Sequence, residues 1–156
     1  MIEKKFNIVL FSPEIPGNTG SIGRTCVALN LNLILIKPYG FDLSEKSVRR
    51  AGLDYWKHVR LKEFESWHHF IQSESPKKES LIFFSKTGEE LVYNAPFKEN
   101  CYLIFGSETK GLPQEILNNF SKNIYQLPMF SETVRSLNLA NTATAVSYEC
   151  LRQLNL

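Results

Sequence analysis

The sequence predicts one α/β domain, a mostly parallel sheet flanked by helices. Three observations lead there. Short β-rich apolar runs alternate with stretches of helical pattern along the whole chain. The runs are near-continuous rather than alternating, as strands covered on both faces require. The chain has 156 residues, of which 43% are apolar and 22% charged. That is the size and makeup of one domain with its own core, and it argues against disorder, a collagen-like repeat or a disulfide scaffold.

In chain order, Phe6 to Phe11 (FNIVLF) reads as a buried strand. Pro13 to Gly20 follows as a loop rich in turn formers, with Asn18 or Thr19 placed to cap a helix over Ser21 to Leu29. Leu31 to Lys37 is a second strand, stopped by Pro38 and Gly40. Leu61 to Gln72 reads as a helix, Leu81 to Ser85 as a strand and Tyr102 to Phe105 as another. Asn123 to Leu127 is the last strand, ending at Pro128, and a final helix runs from about Asn138 to Gln153. The polar stretch Ser73 to Ser80 reads as a surface loop, and no repeat or linker divides residues 1–156.

Cys26, Cys101 and Cys150 are odd in number and form no C-x-x-C pair, so neither a disulfide framework nor a zinc site is suggested, and a reducing, cytoplasmic setting is expected. No apolar run approaches the ~20 residues of a membrane span. The N-terminus enters a strand-like run without a signal-peptide pattern. The formal net charge is only +2, from 18 basic and 16 acidic residues, so a polyanion partner would need clustered charge. A cluster exists: Lys46, Arg49, Arg50, Lys57, Arg60 and Lys62 are opposed within that stretch only by Asp54, and interleave with Tyr55, Trp56 and His58. Phosphate neutralisation with aromatic stacking is how single-stranded RNA is held. A solvated charged face with Trp56 in the core reads the same way.

In parallel α/β sheets, ligands bind beyond the carboxyl ends of strands. Three loops there carry unusual residues. Ser12 to Arg24 leads into a helix N-terminus, where anions are favoured, with Arg24 one turn in. Gly106 to Pro113 has two glycines but is neither a dinucleotide fingerprint nor a P-loop. Pro128 to Asn141 offers Ser136 or Asn138 as a cap, then small residues that allow close helix packing.

Taken together, Pro13-Glu-Ile-Pro-Gly-Asn-Thr-Gly20, Arg49-Arg-Ala-Gly-Leu-Asp-Tyr55, Phe105-Gly-Ser-Glu-Thr-Lys-Gly-Leu-Pro113 and Arg135-Ser-Leu-Asn-Leu-Ala-Asn141 resemble the SPOUT-class RNA 2′-O-ribose methyltransferases. The likeness is strongest to the minimal tRNA (cytidine/uridine-34)-2′-O-methyltransferases and spans almost the whole chain. It implies a deep trefoil knot in the C-terminal part, a homodimer, and S-adenosylmethionine as methyl donor with no metal. It implies the anticodon stem-loop of tRNA, with leucine isoacceptors, as substrate. By position it implies Arg24, Glu108, Ser136 and Asn138 as catalytic residues. Phe84, Ser85, Gly106, Glu108, Leu127, Ser136 and Leu137 would meet the cofactor. Asn18, Arg49, Arg50, Tyr55, Lys110, Arg135 and Arg152 would meet RNA. Gly17 and Ser107 depart from the prolines common at those places.

For the chemistry, a guanidinium is better suited to binding a phosphate and stabilising charge on the 2′ oxygen than to acting as a base. Ser136 and Asn138 are suited to orienting the hydroxyl, and Glu108 to steering a cationic sulfonium or anchoring Arg24. Competing readings are the same chemistry at another tRNA or rRNA position, a non-catalytic RNA-binding dimer, and a Rossmann-like oxidoreductase, which the missing phosphate-binding fingerprint disfavours.

Overall fold

The computed structural model describes residues 5–43 and 54–156. Its centre is a set of strands, β1 (Asn7–Phe11), β2 (Asn32–Ile36), β3 (Arg60–Phe64), β4 (Leu81–Phe84), β5 (Glu90–Leu91), β6 (Tyr102–Phe105) and β7 (Ile124–Gln126), largely apolar and buried except for the exposed edge strands β3 and β5. They form one seven-stranded sheet in the order β3-β2-β1-β6-β4-β7-β5, with every neighbouring pair parallel. Successive strand residues point to opposite faces. Ile8, Leu10, Leu33, Leu35, Leu103 and Phe105 join one core, and Val9, Ile34, Ile36, Phe83 and Ile104 the other. Both faces are buried, which is why the strands read as unbroken apolar runs.

Among the described residues four helices cover the sheet: α1 (Pro16–Leu29), α2 (Trp67–Glu74), α3 (Gln114–Asn119) and α4 (Leu139–Gln153). Ile22 and Cys26 of α1 share the first core with Ala143, Val146 and Cys150 of α4. Across that contact the Thr25 and Thr144 hydroxyls are 2.9 Å apart. The second core takes Phe70 from α2 and Ile116 from α3. All three cysteines are free and buried.

Two boundaries differ from the sequence reading. The expected helix over Leu61 to Gln72 is instead strand β3 followed by α2. Leu61, Phe64, Trp67 and Phe70 recur every third residue and mimic a helical stripe. Ser66 breaks it: its Oγ accepts the His69 amide at 3.1 Å and starts α2 there. β3 pairs only with β2, so as an edge strand it keeps charged residues. Second, α1 begins at Pro16, not Ser21. Proline suits the first helical position, where no amide donor is needed. Neither Asn18 nor Thr19 is its cap, and Ile15 at the cap position makes no side-chain bond. β5, α3 and several single-turn 3₁₀ segments were not anticipated; each is six residues or fewer.

Residues 54–58 lie down on α1 because α1 is bare there. A Cβ on Gly23 would come within 2.6 Å of the Trp56 ring. Gly23→Ala is therefore expected to cost a net ~1 kcal/mol. Overpacking of about 1–3 kcal/mol exceeds the helix-propensity gain of up to about 1 kcal/mol. A lowered melting temperature with altered tryptophan emission would show it; unchanged values would mean Trp56 does not sit tightly on α1.

Candidate active site

The sheet order places the site. From β1 the chain runs outward through β2 and β3, then resumes on the other side, so β1 and β6 meet at the topological switch point. They pair in register, with Leu10 opposite Phe105. Two parallel strands ending level must release their loops side by side. The loop after β1 carries Glu14 four residues past Leu10, and the loop after β6 carries Glu108 and Thr109 three and four residues past Phe105.

The two loops clasp each other with exchanged carboxylates. Glu108 Oε1 accepts the Glu14 amide at 2.9 Å, and Oε2 accepts the Ile15 amide at 2.6 Å and Asn18 Nδ2 at 3.2 Å. In return, the Glu14 carboxylate accepts the Thr109 amide at 3.3 Å and its hydroxyl at 2.8 Å. The Thr109 hydroxyl bond is the main cause holding the Glu14 carboxyl below its usual range. Glu108 thus reaches from 90 or more residues away to hold the Ile15 amide at the cap position of α1, placing negative charge at the helix N-terminus.

Asn18 carries the connection to the third loop. It is buried, and its Oδ1 accepts Asn138 Nδ2 at 3.0 Å while its Nδ2 serves Glu108. Asn138 Oδ1 in turn accepts the Asn141 amide at 3.1 Å and caps α4. Of the two caps the sequence offered there, Asn138 is the one used. One chain of side chains, Glu108–Asn18–Asn138, ties the starts of α1 and α4 to the loop after β6.

The loop after β6 is itself tightly folded. Ser107 and Gly111 exchange backbone bonds at 3.2 and 3.0 Å, Lys110 N reaches the Ser107 hydroxyl at 3.3 Å, and Gly111 adopts φ +66°. Gly106 packs so closely beneath that a Cβ there would lie 2.2 Å from the Gly111 carbonyl carbon. Exposed on the surroundings of this assembly are Arg24, Lys110 and Arg135. Arg24 lies about 9 Å along α1 from Asn18, with its guanidinium 5.5 Å from the Tyr55 ring centroid.

Strands β6, β4 and β7 are adjacent, so the residues just past their ends, Gly106, Ser85 and Leu127, line one sheet edge. Phe84 is buried at the end of β4, stacked 5.1 Å from Phe105. Leu127 packs against the first core, while Ser136 and Leu137 stand exposed on the loop before α4. Backbone, the Ser85 hydroxyl and apolar surface meet at one edge, a mixture that suits a ligand with both apolar and polar parts.

Other expected site residues are elsewhere or differently engaged. Arg49 and Arg50 lie outside the described residues. Arg152 is about 21 Å along α4 from Asn138 and is bound to Glu149 in the same helix at 3.0 and 2.7 Å. The Tyr55 hydroxyl donates to the Gly20 carbonyl at 2.9 Å. Glu14 and Thr109 were not singled out from the sequence; the available signal was a polar pair at matching distances past two parallel strands. Among the described residues no cluster of three His, Cys, Asp or Glu could hold a metal, and no helix is long and apolar enough to cross a membrane.

Residues 5–148 match the SpoU rRNA methylase family. The tRNA (cytidine(34)-2′-O)-methyltransferase of Saccharophagus degradans is 44% identical over 150 residues, covering 96% of both chains. That of Burkholderia cenocepacia is 40% identical over 149 residues, covering 95% of both. A solved structure described as giving insight into 2-OH methylation of C/U34 on tRNA superposes with TM-score 0.85 at 43% identity, covering 96% of both chains. The SpoU methyltransferase AviRb of Streptomyces viridochromogenes, in complex with AdoMet, superposes with TM-score 0.78 at 26% identity, covering 99% of this chain and 62% of that one. With the switch-point loops joined through Glu108, Asn18 and Asn138, and with these likenesses over nearly its whole length, the chain belongs to the SpoU rRNA methylase family.

Proposed function

We propose that the chain methylates the ribose 2′ oxygen of the wobble nucleotide, cytidine or uridine 34, in tRNA, with leucine isoacceptors as substrates. The observation that carries this reading is the Glu108–Asn18–Asn138 connection, which assembles three strand-end loops beside the exposed Arg24. Full-length likeness to enzymes named for this reaction supports it.

S-adenosylmethionine supplies the methyl group when bound. The residues that would hold it are Phe84, Ser85, Gly106 and Leu127, at the shared edge of β4, β6 and β7, together with Ser136 and Leu137 on the loop before α4. Arg24 binds the phosphate beside the target and stabilises negative charge developing on the 2′ oxygen. Ser136 orients the ribose hydroxyl. Glu108, Asn18 and Asn138 act by positioning: their polar atoms are spent on one another and on backbone amides, which keeps α1, and so Arg24, in register with the start of α4. Glu108 is in this reading a brace for the first loop rather than a counter-ion for a sulfonium. Correct alignment of three groups is the main catalytic task in such a transfer.

The chain works in this reading as a cytoplasmic homodimer with a C-terminal trefoil knot. What supports the dimer is the loop at 127–138, where Phe130 is 98% exposed and Val134 and Leu137 are also open, so a second copy would have apolar side chains to cover there. The placement of β7 beyond β4, with α4 returning to α1, is compatible with the knot. In the dimer, Arg49 and Arg50 of one subunit would serve the RNA at the other's site, beside Lys110 and Arg135.

Two measurements test this. Incubation with bulk unmodified tRNA and labelled S-adenosylmethionine should place the label on 2′-O-methylated cytidine or uridine at nucleotide 34; label at another nucleotide would keep the chemistry and reject the target. tRNA affinity should fall steeply with salt, and Lys110→Ala or Arg135→Ala should each flatten the log–log slope by about 0.7–0.9. An unchanged slope would remove that residue from the RNA surface.

A further inference from the structure

The aromatic ring beside Arg24 has a use that the basic stretch alone does not suggest. Tyr55 is fixed to α1 at two points. Its hydroxyl donates to the Gly20 carbonyl at 2.9 Å, and its neighbour Trp56 lies on Gly23, where no side chain intervenes. Gly20 and Arg24 are one helical turn apart, so the Gly20 carbonyl is also the acceptor of the Arg24 amide in the helix. A ring tethered at Gly20 must therefore lie along the turn that ends at Arg24. The guanidinium sits over its face, 5.5 Å from the centroid. Tyr55 is half-buried and Arg24 exposed, so the ring is the wall on which a long, otherwise mobile side chain rests. With its hydroxyl taken by Gly20 and its face by Arg24, Tyr55 has little left to offer a base.

We propose that Tyr55 is a positioning residue for Arg24: it holds the guanidinium at the reaction centre through its ring face, and does not itself bind RNA. Packing of Tyr55 and Trp56 onto α1 then completes the catalytic arginine. This rests on the reading of Arg24 given above.

The test compares Tyr55→Leu and Tyr55→Phe in the full chain with tRNA and S-adenosylmethionine. Tyr55→Leu is expected to lower kcat about tenfold, with KM for tRNA and affinity for S-adenosylmethionine unchanged within twofold. Tyr55→Phe, which keeps the ring, should restore kcat to within about threefold of the parent. A raised KM for tRNA at unchanged kcat would overturn the proposal in favour of an RNA contact. Equal loss in both variants would overturn it in favour of the hydroxyl bond alone. Should Tyr55→Leu not fold, phenylalanine with successive ring fluorines at position 55 keeps the packing while weakening the ring face. kcat should then fall stepwise at constant melting temperature, and a flat series overturns the proposal. An active Arg24→Ala would instead remove the underlying reading, so the two failures are separable.

Discussion

Replacing Arg24 with alanine is expected to lower 2′-O-methyl transfer at least about a hundredfold, the scale on which a preorganised donor at a developing oxyanion contributes, while the affinity for S-adenosylmethionine stays as it was. The separation follows from placement. Arg24 is on the exposed surface of α1 against Tyr55, whereas the residues proposed to hold the cofactor are grouped mainly at and just past the ends of β4, β6 and β7. Arg24→Lys keeps the charge and loses the fork, so it should recover little of the activity if bidentate phosphate contact matters. Calorimetry with turnover on the same protein decides it. Lost cofactor affinity with preserved turnover would put Arg24 in the wrong place.

The largest expected effect on stability is at Gly106. A methyl group there runs into the peptide bond that joins Gly111 to Leu112, with the Gly111 carbonyl carbon at 2.2 Å and the Leu112 nitrogen at 2.3 Å. Side-chain rotation relieves neither contact, so the turn must open, and with it the Ser107–Gly111 bonds and the footing of Glu108. Gly106→Ala should therefore cost about 3 kcal/mol, lower the melting temperature by roughly 6–12 °C, and abolish cofactor binding. Gly17→Ala is the control: nothing lies within 4 Å of a Cβ there, and its melting temperature should hardly move. Equal melting temperatures for the two variants would mean that the turn beneath Glu108 is not tightly packed.

The inner strands were readable because each is a buried run covered on both faces, and Tyr102–Phe105 matches residue for residue, whereas the exposed edge strands β3 and β5 carry no such run. The helices were less so where the decisive partner is remote. The start of α1 depends on a carboxylate far along the chain, which no local cap rule can find. β3 was misread because chance three-residue spacing of Leu61, Phe64, Trp67 and Phe70 runs across the Ser66 break. The site shows the same division. The loops bearing Arg24, Glu108 and Asn138 could be picked out from composition and motif, and the sheet brings Glu108 and Asn138 together through Asn18. Their division of labour could not, because it rests on which polar atoms are already taken. Glu14 and Thr109 went unnoticed since an exposed acid and threonine look ordinary until two parallel strands end level beside each other. Arg152 looked available in sequence, but Glu149 three residues back on the same helix occupies it.

A site that alkylates the ribose 2′ oxygen of nucleotide 34 cannot act on a substrate that lacks that oxygen. An unmodified tRNA is compared with the same tRNA carrying 2′-deoxyribose at nucleotide 34, using labelled S-adenosylmethionine. Methyl incorporation is expected into the first and none into the second, with similar binding of both. Equal incorporation into the two would contradict this chemistry.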